Sequence, residues 1–99
     1  MGATQSAATD IYSLGAVLYK VLAGTPPFEG IALAARTELT PASHLNPEVP
    51  RDVDFILRKA LRREPEDRYG SVDDLAADLR AALTHRPVQA RSGDVWYRT

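Results

Sequence analysis

The stretch Asp10-Ile11-Tyr12-Ser13-Leu14-Gly15-Ala16-Val17-Leu18-Tyr19-Lys20-Val21-Leu22-Ala23-Gly24-Thr25-Pro26-Pro27-Phe28 decides the fold. Thr9 and Asp10 are residue types that start helices, and Asp10 also suits the positive end of a helix dipole. Gly24, followed by Pro26 and Pro27, supplies a stop, so the residues between predict a helix over 11–23. Ile11, Tyr12, Leu14, Ala16, Val17, Leu18, Tyr19, Val21 and Leu22 leave it almost no polar face, the pattern of a helix buried on all sides. A chain of ~100 residues can hardly surround such a helix, so part of its apolar surface is expected to be left for a partner.

Downstream, Pro26, Pro27, Pro41, Pro47 and Pro50 with Gly30 make residues 25–50 mostly loop, with room for a short helix over 31–36. Pro50 can open a second helix, and Val53, Ile56, Leu57, Ala60 and Leu61 then form an amphipathic stripe that predicts helix over 51–63. Glu64-Pro65 breaks it. Ser71 with Asp74 resembles a capping box, and Val72, Leu75, Leu79, Ala82 and Leu83 give a third helix reaching about residue 83. From Thr84 to Thr99 the periodicity disappears, which predicts an irregular tail. The expected fold class is all-α: a small helical array over 1–84 with a proline-rich loop, followed by the tail 85–99.

Composition narrows the function. Ninety-nine residues make one small domain, too short for a two-lobed enzyme with a nucleotide cleft. Hydrophobic residues at 44% and charged residues at 25% are ordinary globular usage. A net charge of -1 favours neither nucleic acid nor an anionic membrane as partner. With no cysteine, disulfides, thiolate zinc sites and cysteine nucleophiles are excluded. The N-terminus has no signal-peptide pattern, and Met1-Gly2 with Ser6 meets only the crude myristoylation pattern that is common by chance. The apolar run 11–23 is interrupted by Lys20 and is shorter than the ~20 residues of a membrane span, so a cytoplasmic location is expected.

Asp10-Ile11-Tyr12-Ser13-Leu14-Gly15, Val17-Leu18-Tyr19, Leu22 and Gly24-Thr25-Pro26-Pro27-Phe28 resemble the central helix of the protein kinase C-lobe and its exit loop. Asn46-Pro47-Glu48-Val49-Pro50 through Leu57, Lys59-Ala60-Leu61, Pro65, Asp67-Arg68-Tyr69 and Asp74-Leu75 resemble the last two kinase helices, as found especially in bacterial serine/threonine kinases. Arg86-Pro87-Val88-Gln89-Ala90-Arg91 with Trp96-Tyr97-Arg98 is similar to a segment that follows the kinase domain in some bacterial members before a membrane span. The proline-rich middle is shorter than the family's.

The resemblance implies structural roles. An aspartate matching Asp10 holds the catalytic loop through backbone hydrogen bonds; in this chain a plain helix N-cap, worth ~1 kcal/mol, is the preferred reading. An arginine matching Arg68 pairs with the glutamate of an Ala-Pro-Glu motif that does not precede Asp10 here, so Arg68 is expected to face solvent or to find Glu64, Glu66 or another carboxylate. Val17 and Val21 match anchors of the columns joining the two kinase lobes, and without an upper lobe they are expected to be core residues. Lys20 stands where the family commonly has an acid.

Phosphoryl transfer needs a phosphate cradle, a nucleotide lysine, metal-binding carboxylate and amide groups, and a proton-accepting aspartate. The sequence has no glycine-rich loop of kinase or Walker spacing and no Asp-Phe-Gly triplet. Its only lysines, Lys20 and Lys59, lie on predicted helices, and His85-Arg86 runs into Pro87 where the catalytic motif needs aspartate. No catalytic, cofactor-binding or metal residue is therefore assigned, and ATP and magnesium belong to the parent family only. Asp73, Asp74 and Asp78 read as a solvated acidic face, His44 and His85 as surface histidines, and Ser71 as a cap.

Three functions compete at this stage. The first is a truncated serine/threonine kinase, inactive as this chain alone. The second is a non-catalytic helical module docking on a kinase or on itself through the apolar first helix. In the third, residues 51–83 form a helix-turn-helix with Arg58, Lys59, Arg62 and Arg63, but its acidic second helix would repel phosphate.

Overall fold

A computed structural model describes residues 3–28, with the side chains from residue 7 onward, and residues 39–91. Every regular element among them is helical: α1 (Ala3–Ala23), α2 (Ala42–Leu45), α3 (Arg51–Ala60), a 3-10 turn at Pro65–Asp67, α4 (Val72–Leu83) and a second 3-10 turn at Gln89–Arg91. The all-α array expected from the sequence is what forms. The short helix over 31–36, Met1-Gly2 and Trp96-Tyr97-Arg98 lie outside the described residues.

The starts and stops follow local chemistry. Gly24 adopts φ 84° and closes α1, its amide donating to the Lys20 carbonyl at 2.9 Å. Ser71 is extended and its hydroxyl accepts from the Asp74 amide at 3.1 Å, so the cap read from the sequence forms at α4. Pro50 precedes the first turn of α3, where a missing amide costs nothing. α3 ends at Ala60, earlier than the expected 63, because the chain must already turn before Glu64-Pro65.

α1 corrects the expected start. It begins at Ala3, since Ala3, Gln5, Ala7 and Ala8 are strong helix formers and neither glycine nor proline interrupts residues 3–14. Asp10 is therefore an exposed residue inside the helix, and the N-cap explanation fails.

The core is the meeting of α1 with α3. Ile11, Tyr19, Phe55, Ile56 and Leu57 are its largest fully enclosed side chains, and Val53, Ala60 and Leu61 complete the stripe expected on α3. Gly15 lies at the crossing: a Cβ built on it would sit 2.9 Å from the Ala60 Cβ. Only glycine allows the two backbones to approach so closely. Leu75 and Ala82 are buried where α4 packs on α3, and α4 also touches α1.

The tail is irregular only in part. Val88 and Ala90 are buried in the same core, and the second 3-10 turn packs on α3. His85 (φ 59°) is the left-handed residue of a helix-ending motif, with Arg86 N bonding the Ala81 carbonyl at 2.8 Å and His85 N the Ala82 carbonyl at 3.3 Å. These turns aim the chain back at the body.

Candidate functional site

The family-matched positions divide between two sides of α1. At 100° per residue, Asp10, Leu14, Val17 and Val21 fall within one arc of the helix, and Ile11, Gly15 and Tyr19 point the other way into the core. The arc is exposed: Leu14 at 42%, Val17 at 60% and Val21 at 73%. Val17 and Val21 are thus not core residues. α2, α3, α4 and the first 3-10 turn pack on α1 and leave this apolar stripe outside.

Arg68 sits elsewhere. Its Nε donates to the Arg62 carbonyl at 2.8 Å, Nη2 to the Arg63 carbonyl at 3.2 Å and Nη1 to the Ala8 carbonyl at 3.0 Å. Its guanidinium also lies 4.9 Å from the centroid of the Tyr12 ring. Neither the solvated state nor a pairing with Glu64 or Glu66 describes it. The carbonyls of the turn that follows α3 accept from it instead, so this arginine pins that turn to α1.

Two buried carboxylates were not recognised in the sequence. Asp78, expected on a solvated face with Asp73 and Asp74, is 6% exposed. It accepts from the Tyr69 hydroxyl at 2.6 Å, the Gln89 amide at 2.8 Å and the Ala90 amide at 3.0 Å, which fixes the tail to α4. Burial, followed by the hydrogen bond to Asp78 and its negative charge, raises the Tyr69 pKa well above the ordinary tyrosine value. Asp54 accepts from the Ser43 amide at 2.9 Å and from the Ser43 hydroxyl, joining α2 to α3. Burial, then the charge of Asp54, raises the Tyr19 pKa as well, and the Tyr19 hydroxyl donates to the Thr40 carbonyl at 2.5 Å. A signal for both acids was present: Asp54 precedes Leu57 and Leu61 by three and seven residues, and Asp78 falls between Leu75 and Ala82 in the same phase.

These groups have structural partners among the described residues. Lys20 is exposed, Lys59 lies 5.2 Å over the Tyr69 ring, and His85 serves a helix end. No group of three or more His, Asp or Glu residues is placed to hold a metal ion among the described residues. A groove of about 730 Å³ runs past Thr40, Pro41, His44, Val49, Arg51 and Phe55, but its buried acid, Asp54, is engaged by Ser43. No described helix is long and apolar enough to cross a membrane.

The serine/threonine-protein kinase PknB of Mycolicibacterium smegmatis is 39% identical over 84 residues, 79% of this chain and 13% of the relative. A probable serine/threonine-protein kinase of Streptomyces coelicolor, SCO3848, is 38% identical over 95 residues, 90% of this chain and 14% of its own length. The chain is homologous to a segment of bacterial serine/threonine protein kinases. PrkC of Bacillus subtilis, 41% identical over 81 residues, covers 76% of the chain, again with only 12% of the kinase matched. The chain thus spans no more than about one seventh of these kinases' length. No protein-family model matches it.

Proposed function

We propose that this chain carries part of the structural support of a serine/threonine kinase domain and does not transfer phosphate by itself. One observation carries the reading: between Met1 and Thr99 the kinase-like segments stand without a phosphate-cradling loop, a metal-binding triplet or a proton-accepting aspartate in its motif. In this reading the parent activity is ATP-dependent phosphorylation of proteins on serine or threonine, in the cytoplasm. Asp10, Val17 and Val21 are the points where α1 meets the catalytic half, and Arg68 retains its structural post through carbonyls. The test is an assay of the purified chain with labelled ATP, magnesium and a basic model protein. No label is expected in the chain or the protein. Magnesium-dependent incorporation that survives removal of contaminating kinases would overturn the reading.

The exposed Leu14, Val17 and Val21 favour a second reading, a non-catalytic helical interaction module. Its natural partners are a kinase domain or another copy of the chain.

A further inference from the structure

The segment after α4 is fastened at one point and jointed at another. Leu83 to Pro87 are all exposed, and within them His85 holds a left-handed backbone that a side chain disfavours. Beyond them Val88 and Ala90 are buried, while Gln89 and Arg91 are exposed. The Gln89 and Ala90 amides open the 3-10 turn Gln89–Arg91 and so have no acceptor inside it. Both go to one side chain: Asp78 Oδ1 accepts from Gln89 at 2.8 Å and Oδ2 from Ala90 at 3.0 Å. The Tyr69 hydroxyl, donating to Oδ2 at 2.6 Å, steadies that carboxylate from outside the segment. An ion pair between Arg91 and Asp52, 3.2 Å apart at the surface, adds little.

We propose that residues 88–91 form a detachable strap, with Asp78 as its catch and residues 83–87 as its hinge, which lifts from α3 while the helical body stays folded. The proportions favour local opening. Two buried side chains and two amide bonds seat the strap, whereas the body is held by the whole core between α1 and α3. Segments with few buried contacts are the ones that open below global unfolding. The hinge moves at little cost, since its exposed side chains leave no core and His85 stores backbone strain that another conformation relieves. Both amides lose their acceptor together when they leave the one carboxylate, so the strap opens as a unit. Lifting it bares the part of α3 on which the turn packs. α3 is also the helix whose Ala60 meets Gly15 of α1, so the strap bears on the element that supports α1. None of this depends on how the chain relates to phosphoryl transfer.

Native-state hydrogen exchange of the whole chain, read residue by residue by NMR in urea below the unfolding transition, is the test. The Gln89 and Ala90 amides should be less protected than those of Ile56 and Leu57 on α3. They should also show almost no dependence on urea, where the α3 amides show the steep dependence of global unfolding. Ile11→Val, which weakens the core of the body, should speed exchange of the α3 amides about two- to tenfold and leave the strap amides unchanged. Asp78→Asn should speed the strap amides about ten- to a hundredfold, and Val88→Ala, which keeps the catch, about tenfold. Strap amides that share the urea dependence of α3, or that Ile11→Val accelerates equally, would tie the strap to global unfolding and overturn the proposal. Strap exchange that Asp78→Asn or Val88→Ala leaves unchanged would overturn it as well.

Discussion

Arg68 shows what a single residue contributes when its expected partner is not at hand. Three backbone carbonyls share its charge, so Arg68→Ala should destabilise the fold by about 1–3 kcal/mol, read as a lower denaturation midpoint. No sequence pattern predicts this, because backbone carbonyls turned towards a side chain by a loop are not encoded by any residue type. Asp78 is similar in kind: one carboxylate meets three donors from two directions. Asp78→Asn turns an amide donor towards donors and should cost about 2 kcal/mol. The raised pKa of Tyr69 gives a pH signature. A group whose folded pKa lies above its unfolded value stabilises fully below the unfolded value and loses that contribution as pH climbs past it. Unfolding free energy should therefore fall above the ordinary tyrosine value of 10.0, and Tyr69→Phe should flatten that alkaline slope, measured by urea titrations from neutral to alkaline pH.

Among the elements, α3 was the most legible and α1 the least. The apolar stripe of α3 needed only periodicity, and every member of it is buried. On α1 nearly every position is apolar, so periodicity could not say which face turns inward. The decision falls to Gly15, whose missing side chain lets α3 approach and thereby turns Val17 and Val21 outward. Gly15→Ala improves helix propensity by about 1 kcal/mol but drives a methyl into Ala60, and overpacking of that kind costs about 1–3 kcal/mol. A lower melting temperature is expected, against the rise that propensity alone would give. At the end of α4 the relation reverses. His85→Gly relieves a left-handed non-glycine residue and should stabilise by up to about 1 kcal/mol, seen as a higher melting temperature.

For the molecule as a whole, the helical class and the placement of the tail have different physical origins. Gly24, Pro50 and Ser71 punctuate the chain where the sequence indicated, and the helical class follows from them. The placement of the tail did not, because Val88 and Ala90 belong to the core through contacts made far along the chain with α3 and with Asp78. A body of this size with an uncovered apolar stripe should be only marginally stable, and a broad thermal transition is expected. A sharp transition at high temperature would show that the small core suffices. In the function proposed above, these helices support a kinase without contributing the groups that bind its nucleotide. Titration calorimetry of the chain with ATP in the presence of magnesium tests it most directly. The expected result is no saturable heat up to millimolar nucleotide, whereas magnesium-dependent binding in the micromolar range would contradict the account.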